Sequence, residues 1–248
     1  MDNNNLNKAV EALRTSNHNF AFTGAGISIE SGIPPFRGET GLWSKYDPKV
    51  LDLNYFKTNS KESWAVIKEI FYDFFGKAKP NDAHFALAKM ENAGLLNSVV
   101  TQNIDNLHQE AGSKTVWEFH GNSHTLECTE CKTKYKIKDL DFESLPVICP
   151  KCKGLVKPDF IFFGEGISTL AYEKSMEEAT NADVVLVIGT TGEIMPASYI
   201  PQIAKQNGAT IIEINPEPSN FTNSITDIYL KATATEAMNE LLSKLLDN

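Results

Sequence analysis

Two Cys-x-x-Cys pairs, Cys128/Cys131 and Cys149/Cys152, stand 17 residues apart and account for all four cysteines. Each pair can offer two thiolates to one ion. Four thiolates close a tetrahedral zinc site with no open position, so such a metal folds a module and performs no chemistry. Redox chemistry or two disulfides is the competing reading; this spacing in a reducing compartment favours metal. Between the pairs, Lys132, Lys134, Lys136 and Lys138 alternate with Thr133, Tyr135 and Ile137. That predicts a short strand whose lysine face is a solvated edge rather than a nucleic-acid contact. A second constellation is built on glycine. Gly24-Ala25-Gly26 follows the alternating stretch His18–Thr23, where a pyrophosphate can approach the backbone and a helix N-terminus. The G-x-G-x-x-G fingerprint is not met, because Ile29 fills its last position, and Asp47 lies in a proline-flanked loop instead of ending a strand. The segment continues through Ser28, Pro34, Pro35, Phe36 and Arg37 to Gly38 without apolar periodicity. Long loops of that kind inside a domain are usually functional. Arg37 can pair with phosphate, and Phe36 can cover a ring or exclude water.

These groups need a scaffold, and the apolar pattern supplies one. His18–Thr23, Ser98–Thr101, Val116–His120, Val184–Ile188 and Thr210–Ile214 read as strands. Helices are predicted over Ser60–Phe75, closed by Gly76, and over Asn81–Ala93, Asp105–Ala111, Ala197–Gln206 and Thr235–Leu246, the last with a Thr233/Glu236 capping box. Strands alternating with helices predict an α/β fold with a doubly wound, mostly parallel sheet, interrupted by a zinc ribbon over 124–156. Ligands of such sheets bind at the carboxyl ends of the strands. Gly24–Ser28, Gln102–Asp105, Gly189–Thr191 and Asn215 fall there. At 248 residues the chain is one large domain or one domain with an insertion. A net charge of −9 argues against a general binder of nucleic acid. The absence of a long apolar run or a leader pattern predicts a cytoplasmic protein that does not engage a membrane.

The run from Gly24 to Trp43, Thr101-Gln-Asn-Ile-Asp-Asn-Leu-His108, Phe119-His-Gly121, the two cysteine pairs, Phe163-Gly-Glu165, Gly189-Thr-Thr191 and Glu213-Ile-Asn215 occur in the order found in sirtuins. Over about residues 8–246 the chain resembles that family of NAD-dependent protein-lysine deacylases. The resemblance implies a Rossmann-like NAD-binding domain (1–46, 98–123 and 157–248). It also implies a small domain made of a helical insertion (47–97) and the zinc ribbon (124–156), within one catalytic unit expected to be a monomer. It implies that Gly24, Ala25, Gly26, Ser28 and Arg37 contact the phosphates and ribose of NAD, and that Phe36 shields the reactive carbon. Gln102 and Asn103 would hold the nicotinamide ribose, Ile104 and Asp105 the carboxamide, and Gly189, Thr190, Thr191 and Asn215 the adenosine half. Ala234 is carried over for the cofactor from the C-terminal loop. Ile161, Phe163 and Gly164 on one side, and Glu193 and Ile194 on the other, would hold an extended acyl-lysine peptide by strand pairing. In the family's reaction the acyl oxygen attacks the anomeric carbon as nicotinamide leaves, and a ribose hydroxyl then takes over the acyl group. His120 is suited to accept that hydroxyl proton, because imidazole titrates near the working pH. The products are free lysine, nicotinamide and O-acyl-ADP-ribose, with zinc structural.

The remaining histidines read differently. His18 falls at a strand start, His84 and His108 on helices in packing or surface roles, and His124 beside the first cysteine pair, in reach of a metal's surroundings. Desuccinylating sirtuins carry Tyr-x-x-Arg on the helix matching residues 60–75. Here the matching positions are Ile67 and Ile70, or Lys68 and Phe71 one residue on. An apolar wall cannot pair a buried carboxylate, so neutral acyl groups, acetyl first, are expected. Glu193 stands where the family is often apolar and predicts a preference for basic residues beside the target lysine. Three alternatives stay open: an NAD hydrolase or mono-ADP-ribosyltransferase on the same fold, a non-catalytic zinc-ribbon binding module, and a hydride-transferring dehydrogenase.

Overall fold

In the computed structural model, residues 1–36 and 41–246 are described. Nine strands follow the chain: β1 (Asn19–Thr23), β2 (Ser98–Thr101), β3 (Val116–Glu118), β4 (Gly121–Cys128), β5 (Lys134–Lys136), β6 (Val156–Phe160), β7 (Val184–Ile188), β8 (Thr210–Asn215) and β9 (Ile228–Lys231). The helices are α1 (Asn3–Thr15), α2 (Leu53–Thr58), α3 (Ser60–Ile67), α4 (Asp82–Asn92), α5 (Leu107–Glu110), α6 (Thr169–Asn181), α7 (Tyr199–Gln206) and α8 (Ala234–Leu246). No helix among the described residues is long and apolar enough to cross a membrane.

Six strands form a parallel sheet in the order β3-β2-β1-β7-β8-β9. Counted within that sheet this is 3-2-1-4-5-6, the dinucleotide-fold order, and its winding reverses between β1 and β7. β7 is apolar at every position because both of its faces are covered. Val184, Leu186 and Ile188 join the core under α1, α4 and α8, while Val185 and Val187 join the core under α6 and α7.

A second sheet, antiparallel, runs β5-β4-β6. Its strands reach Gly121 and Phe160, beyond the 124–156 range read as the ribbon. A third apolar cluster packs this sheet with the segment 42–75: Val50, Phe56, Trp64, Ile67, Ile70 and Phe71 meet Leu126, Val156, Phe160 and Phe162. The Trp64 indole N–H donates to Val156 O at 2.8 Å, tying the helical segment to β6.

Several sequence expectations change at element ends. The helix expected over Ser60–Phe75 is α3 followed by a π-helical stretch, Lys68–Phe74, and a short 3₁₀ turn, Phe75–Lys77. Ile67, Ile70, Phe71 and Phe75 are all buried across this change of helix type, while Phe74 is 58% exposed. Strand β6 ends at Phe160; Phe163 beyond it forms one bridge, to Asp52, and is 48% exposed. The strand expected to reach His120 stops at Glu118, because Gly121 starts the second sheet. Helix α8 is capped by a residue distant in sequence. The Glu30 carboxylate accepts from Thr233 Oγ1, Thr235 N and Thr235 Oγ1, whereas Thr233 Oγ1 reaches Glu236 N only at 3.4 Å.

Candidate functional site

The turns after β1 and β7, on either side of the switch in winding, interlock through their backbones. Gly26 N donates to Gly189 O at 2.8 Å and Gly24 N to Ile188 O at 3.0 Å. A Cβ at Gly26 would lie 2.5 Å from Gly189 Cα, and one at Gly24 would lie 2.8 Å from Gly189 O. Gly189 has φ +64, and its own Cβ would meet Ile27 N at 2.4 Å. Glycine is required here because two loops touch, whatever ligand lies above them. Ala25 is half-buried in the same turn.

The turn after β2 adds polar groups. Asn103 Nδ2 donates to Gly24 O at 3.2 Å and to Ser28 Oγ at 3.1 Å, and Ser28 Oγ donates to Asp105 Oδ2 at 2.7 Å. Ser28 is fully buried, so its hydroxyl is held by the protein. Burial raises the Asp105 carboxyl above its ordinary value, opposed by the Leu107 N–H and the Ser28 hydroxyl. Ile104 O accepts from Ser123 N and Oγ at 2.9 and 2.8 Å. Gln102 Nε2 donates to Thr190 Oγ1 at 3.0 Å, joining this turn to the one after β7. Asn215, at the end of β8, donates through Nδ2 to Thr190 O at 3.1 Å. Thr191 O accepts from Asn220 N at 3.0 Å. These glycine backbones, hydroxyls and amides at the ends of four parallel strands fit the riboses, pyrophosphate and carboxamide of a dinucleotide.

His120 stands at one end of this row. Its Nδ1 lies 3.0 Å from Gln102 O. A carbonyl only accepts, so Nδ1 carries the hydrogen, and the neutral ring keeps its lone pair on Nε2. Burial pulls the imidazole below its ordinary value, against a smaller opposing effect of the Gln102 carbonyl. Its place is fixed on both sides. Ile161 N donates to His120 O at 2.9 Å, and Gly121 turns with φ +73 where a Cβ would lie 2.1 Å from Asp159 O.

On the opposite side, Phe163 uses both backbone groups on the helical segment: its N–H donates to Leu51 O at 2.8 Å and its C=O accepts from Leu53 N at 3.0 Å. The outer edge is therefore left to Gly164, which is exposed with φ +89. Glu193 is exposed and Ile194 half-buried, on the loop leading to α7. Phe36 packs against Trp43, ring centroids 5.6 Å apart. Arg37 lies outside the described residues. Ala234 is buried in the core at the start of α8, beside the Glu30 cap.

The four cysteine sulfurs lie within 4.8 Å of one another. Cys128 and Cys152 Sγ are 3.4 Å apart, and Cys131 and Cys149 Sγ 3.7 Å. A disulfide needs about 2.05 Å, whereas metal–sulfur bonds of about 2.3 Å give tetrahedral edges near ~3.8 Å. The set fits one zinc ion, with the Tyr135 hydroxyl 3.0 Å from Cys149 Sγ as an outer contact.

Half of the lysine row is paired nearby, Lys132 with Glu127 at 3.2 Å and Lys134 with Asp159 at 2.7 Å. His124 is half-buried on β4, its backbone N–H donating to Asn122 Oδ1 at 3.0 Å. His84 and His108 are both buried, their rings 4.9 Å apart, and His18 pairs with Glu178 at 2.7 Å. The sequence reading missed the Asn103–Ser28–Asp105 chain as a connected unit and gave Glu213 no role beyond its place in the Glu213-Ile-Asn215 motif. A lone acid inside the apolar run Thr210–Ile214 is the available clue to the latter.

A dinucleotide-type sheet carrying a four-thiolate metal module and a histidine at the cleft defines an α/β nucleotide-handling class with a structural metal. Residues 24–196 match the model of the Sir2 family. A Pyrococcus furiosus protein named NAD-dependent protein deacylase is 43% identical over 247 residues, covering 97% of this chain and 98% of its own. A Sir2 homologue solved in complex with ADP-ribose superimposes with a TM-score of 0.91 at 36% identity, covering 99% of this chain and 96% of that one. A Sir2 solved with a deacetylated p53 peptide and 3'-O-acetyl ADP-ribose gives 0.90 at 34% identity, over 96% and 98%. The chain belongs to the Sir2 family.

Proposed function

We propose that this chain is an NAD-dependent protein-lysine deacylase that moves the acyl group of a modified lysine onto ADP-ribose, with His120 as the base. NAD, when bound, supplies the ADP-ribosyl acceptor and nicotinamide as the leaving group. The single observation that carries the reading is the His120 tautomer: Nδ1 is held by Gln102 O at 3.0 Å, so Nε2 is left to take a proton from a sugar hydroxyl. A neutral imidazole is kept in readiness because burial lowers its proton affinity.

The other roles follow from placement. The interlocked turns at Gly24–Gly26 and Gly189 form the floor for the pyrophosphate. Asn103 and Gln102 offer amides to the nicotinamide ribose, and Ile104 and Asp105 meet the carboxamide. Thr190, Thr191 and Asn215 line the adenosine half, and the half-buried Phe36 ring excludes water from the reacting carbon. A substrate peptide pairs with the Gly164 edge on one side and Glu193–Ile194 on the other. Zinc bound by Cys128, Cys131, Cys149 and Cys152 holds the ribbon and takes no part in the chemistry.

The wall formed by Ile67, Ile70 and Phe71 is at most 3% exposed, which supports a preference for neutral acyl groups. The cation of the alternative register, Lys68, is paired with Asp73 at 3.0 Å, so a buried succinyl carboxylate would meet a charge that is already held.

Mass spectrometry of the protein mixed with NAD and an acetyl-lysine peptide tests the reading. The expected products are free peptide, nicotinamide and O-acetyl-ADP-ribose, all of them NAD-dependent. ADP-ribose beside intact acetyl-peptide would establish a hydrolase, and NADH a dehydrogenase. A succinyl-peptide supplied in parallel should turn over at least ~100-fold more slowly, the cost of an unpaired buried charge being several kcal/mol. Equal turnover would refute the apolar wall.

A further inference from the structure

Glu213 is the most unusual charge in the molecule. It lies on β8, between β7 and β9 of the parallel sheet, fully buried, and among the described residues no lysine, arginine or histidine pairs with it. A buried carboxylate without a cation is costly unless neutral donors saturate it. Here they do. Ser219 Oγ donates at 2.5 Å, Thr222 Oγ1 at 2.9 Å to one oxygen and 3.0 Å to the other, Thr226 Oγ1 at 2.7 Å, and Asn215 Nδ2 at 3.0 Å.

All three hydroxyls come from the segment 216–226 that follows β8, so one carboxylate folds that segment onto the strand end. The same segment then braces the turn after β7: Asn220 N donates to Thr191 O, and the Phe221 ring fills the space beside Gly192, where a Cβ would lie 2.9 Å away.

The contact with Asn215 has a chemical consequence. Thr190 O and the Glu213 carboxylate both only accept, so the amide atom facing them must be Nδ2. That leaves Oδ1, which has no hydrogen-bond partner among the described residues, as the acceptor presented to a ligand. Asn215 O is also held, by the Tyr229 hydroxyl at 3.0 Å.

We propose that Glu213 is a positioning residue for the adenosine half of NAD: it fixes the amide orientation of Asn215 and the shape of segment 216–226. The proposal rests on the reading of Asn215 as an adenosine contact. Glu213 itself does not meet the ribose, since protein donors occupy both of its oxygens.

Calorimetric binding of ADP-ribose, with steady-state kinetics in NAD and acetyl-peptide, tests this. Glu213→Ala should raise Kd for ADP-ribose and KM for NAD by about tenfold, the loss of roughly one hydrogen bond. At saturating NAD, kcat and the peptide KM should stay within about twofold of the parent, a split that general destabilisation would not produce. In the Asn215→Ala background, Glu213→Ala should cost less than it does alone, because the part that acts through the Asn215 amide is already gone. Thr222→Val keeps the charge and withdraws one donor, and should weaken ADP-ribose binding in the same direction by a smaller factor. It serves as the test if Glu213→Ala does not fold. Unchanged ADP-ribose binding in Glu213→Ala (or in Thr222→Val, if that is the test), or fully multiplicative losses in the double variant, would overturn the proposal. Unchanged binding in Asn215→Ala would instead overturn the adenosine-site reading beneath it, and the proposal with it.

Discussion

The two halves of the cleft are held together by different physics. On the sheet side, order comes from backbone packing: β1 and β7 pair in register, and their turns touch so closely at Gly24, Gly26 and Gly189 that no side chain fits. On the ribbon side, the sheet has three strands against six. Order there comes from four thiolates on one ion and from aromatic packing of Trp64, Tyr72, Phe142 and Phe162. A parallel sheet buried on both faces stabilises itself by area, whereas a small antiparallel sheet needs a staple. On the proposed reading, the cofactor pocket is built on the sheet side, and the Gly164 edge of the peptide site on the metal-dependent side.

Stripping the metal gives the largest test of this contrast. Structural zinc contributes on the order of 10 kcal/mol to small thiolate modules. Chelation, or Cys128→Ser with Cys149→Ser, should unfold the ribbon and abolish activity while the parallel sheet keeps its helical and strand circular dichroism. A single loss of all structure would erase the distinction between the halves, and so would purified protein lacking stoichiometric zinc.

Acid should act first on the sheet side. Burial depresses His84 from an ordinary 6.5 to about 4 and holds the neighbouring His108 well below 6.5. Below pH 6.5 the unfolded chain takes up a proton at residue 84 that the folded chain refuses until about pH 4. Stability therefore falls as pH drops through that window, by about 3 kcal/mol for His84. Denaturant midpoints measured from pH 7 to pH 4 should show the decline, and His84→Gln should remove its share. A flat profile in the parent protein would mean that this histidine pair is hydrated.

Gly189→Ala makes a smaller and more local perturbation. Its φ of +64 and the 2.4 Å approach to Ile27 N force the two turns apart, at a cost of about 1–3 kcal/mol. ADP-ribose affinity should fall with it while the acetyl-peptide KM stays unchanged. A loss confined to the peptide side would reverse the assignment of the halves.

The same contrast governed what the sequence disclosed. β7 was readable because an uninterrupted Val-Val-Leu-Val-Ile run has one physical explanation, a strand covered twice. The four cysteines were readable because metal geometry fixes their spacing. Helix α6 was missed because it buries Ala171, Ser175 and Ala179, small residues that leave no apolar stripe. Helix α1 does carry a stripe, Leu6, Ala9, Val10 and Leu13, but it starts in three asparagines, which are poor helix formers. β6 hides a proline and a buried lysine, tolerated because it is an edge strand and because Lys157 Nζ reaches Pro158 O, Phe160 O and Glu165. The π-helical stretch has no local signature, since only the tertiary packing of Phe71 and Phe75 shows which way the turn must widen. Within the site, residue types were legible but connections were not. Ser28 is legible as a candidate ligand contact, whereas its hydrogen bond to Asp105 shows only in the structure.

The central claim is that His120, held through Nδ1, acts as the base. Turnover of acetyl-peptide by His120→Ala, measured beside calorimetric binding of ADP-ribose to the same sample, tests it most directly. Loss of a positioned base predicts a rate about 10²- to 10⁴-fold lower, with ADP-ribose affinity and zinc content unchanged. Deacetylation at the parental rate by a variant that still binds ADP-ribose would contradict the account.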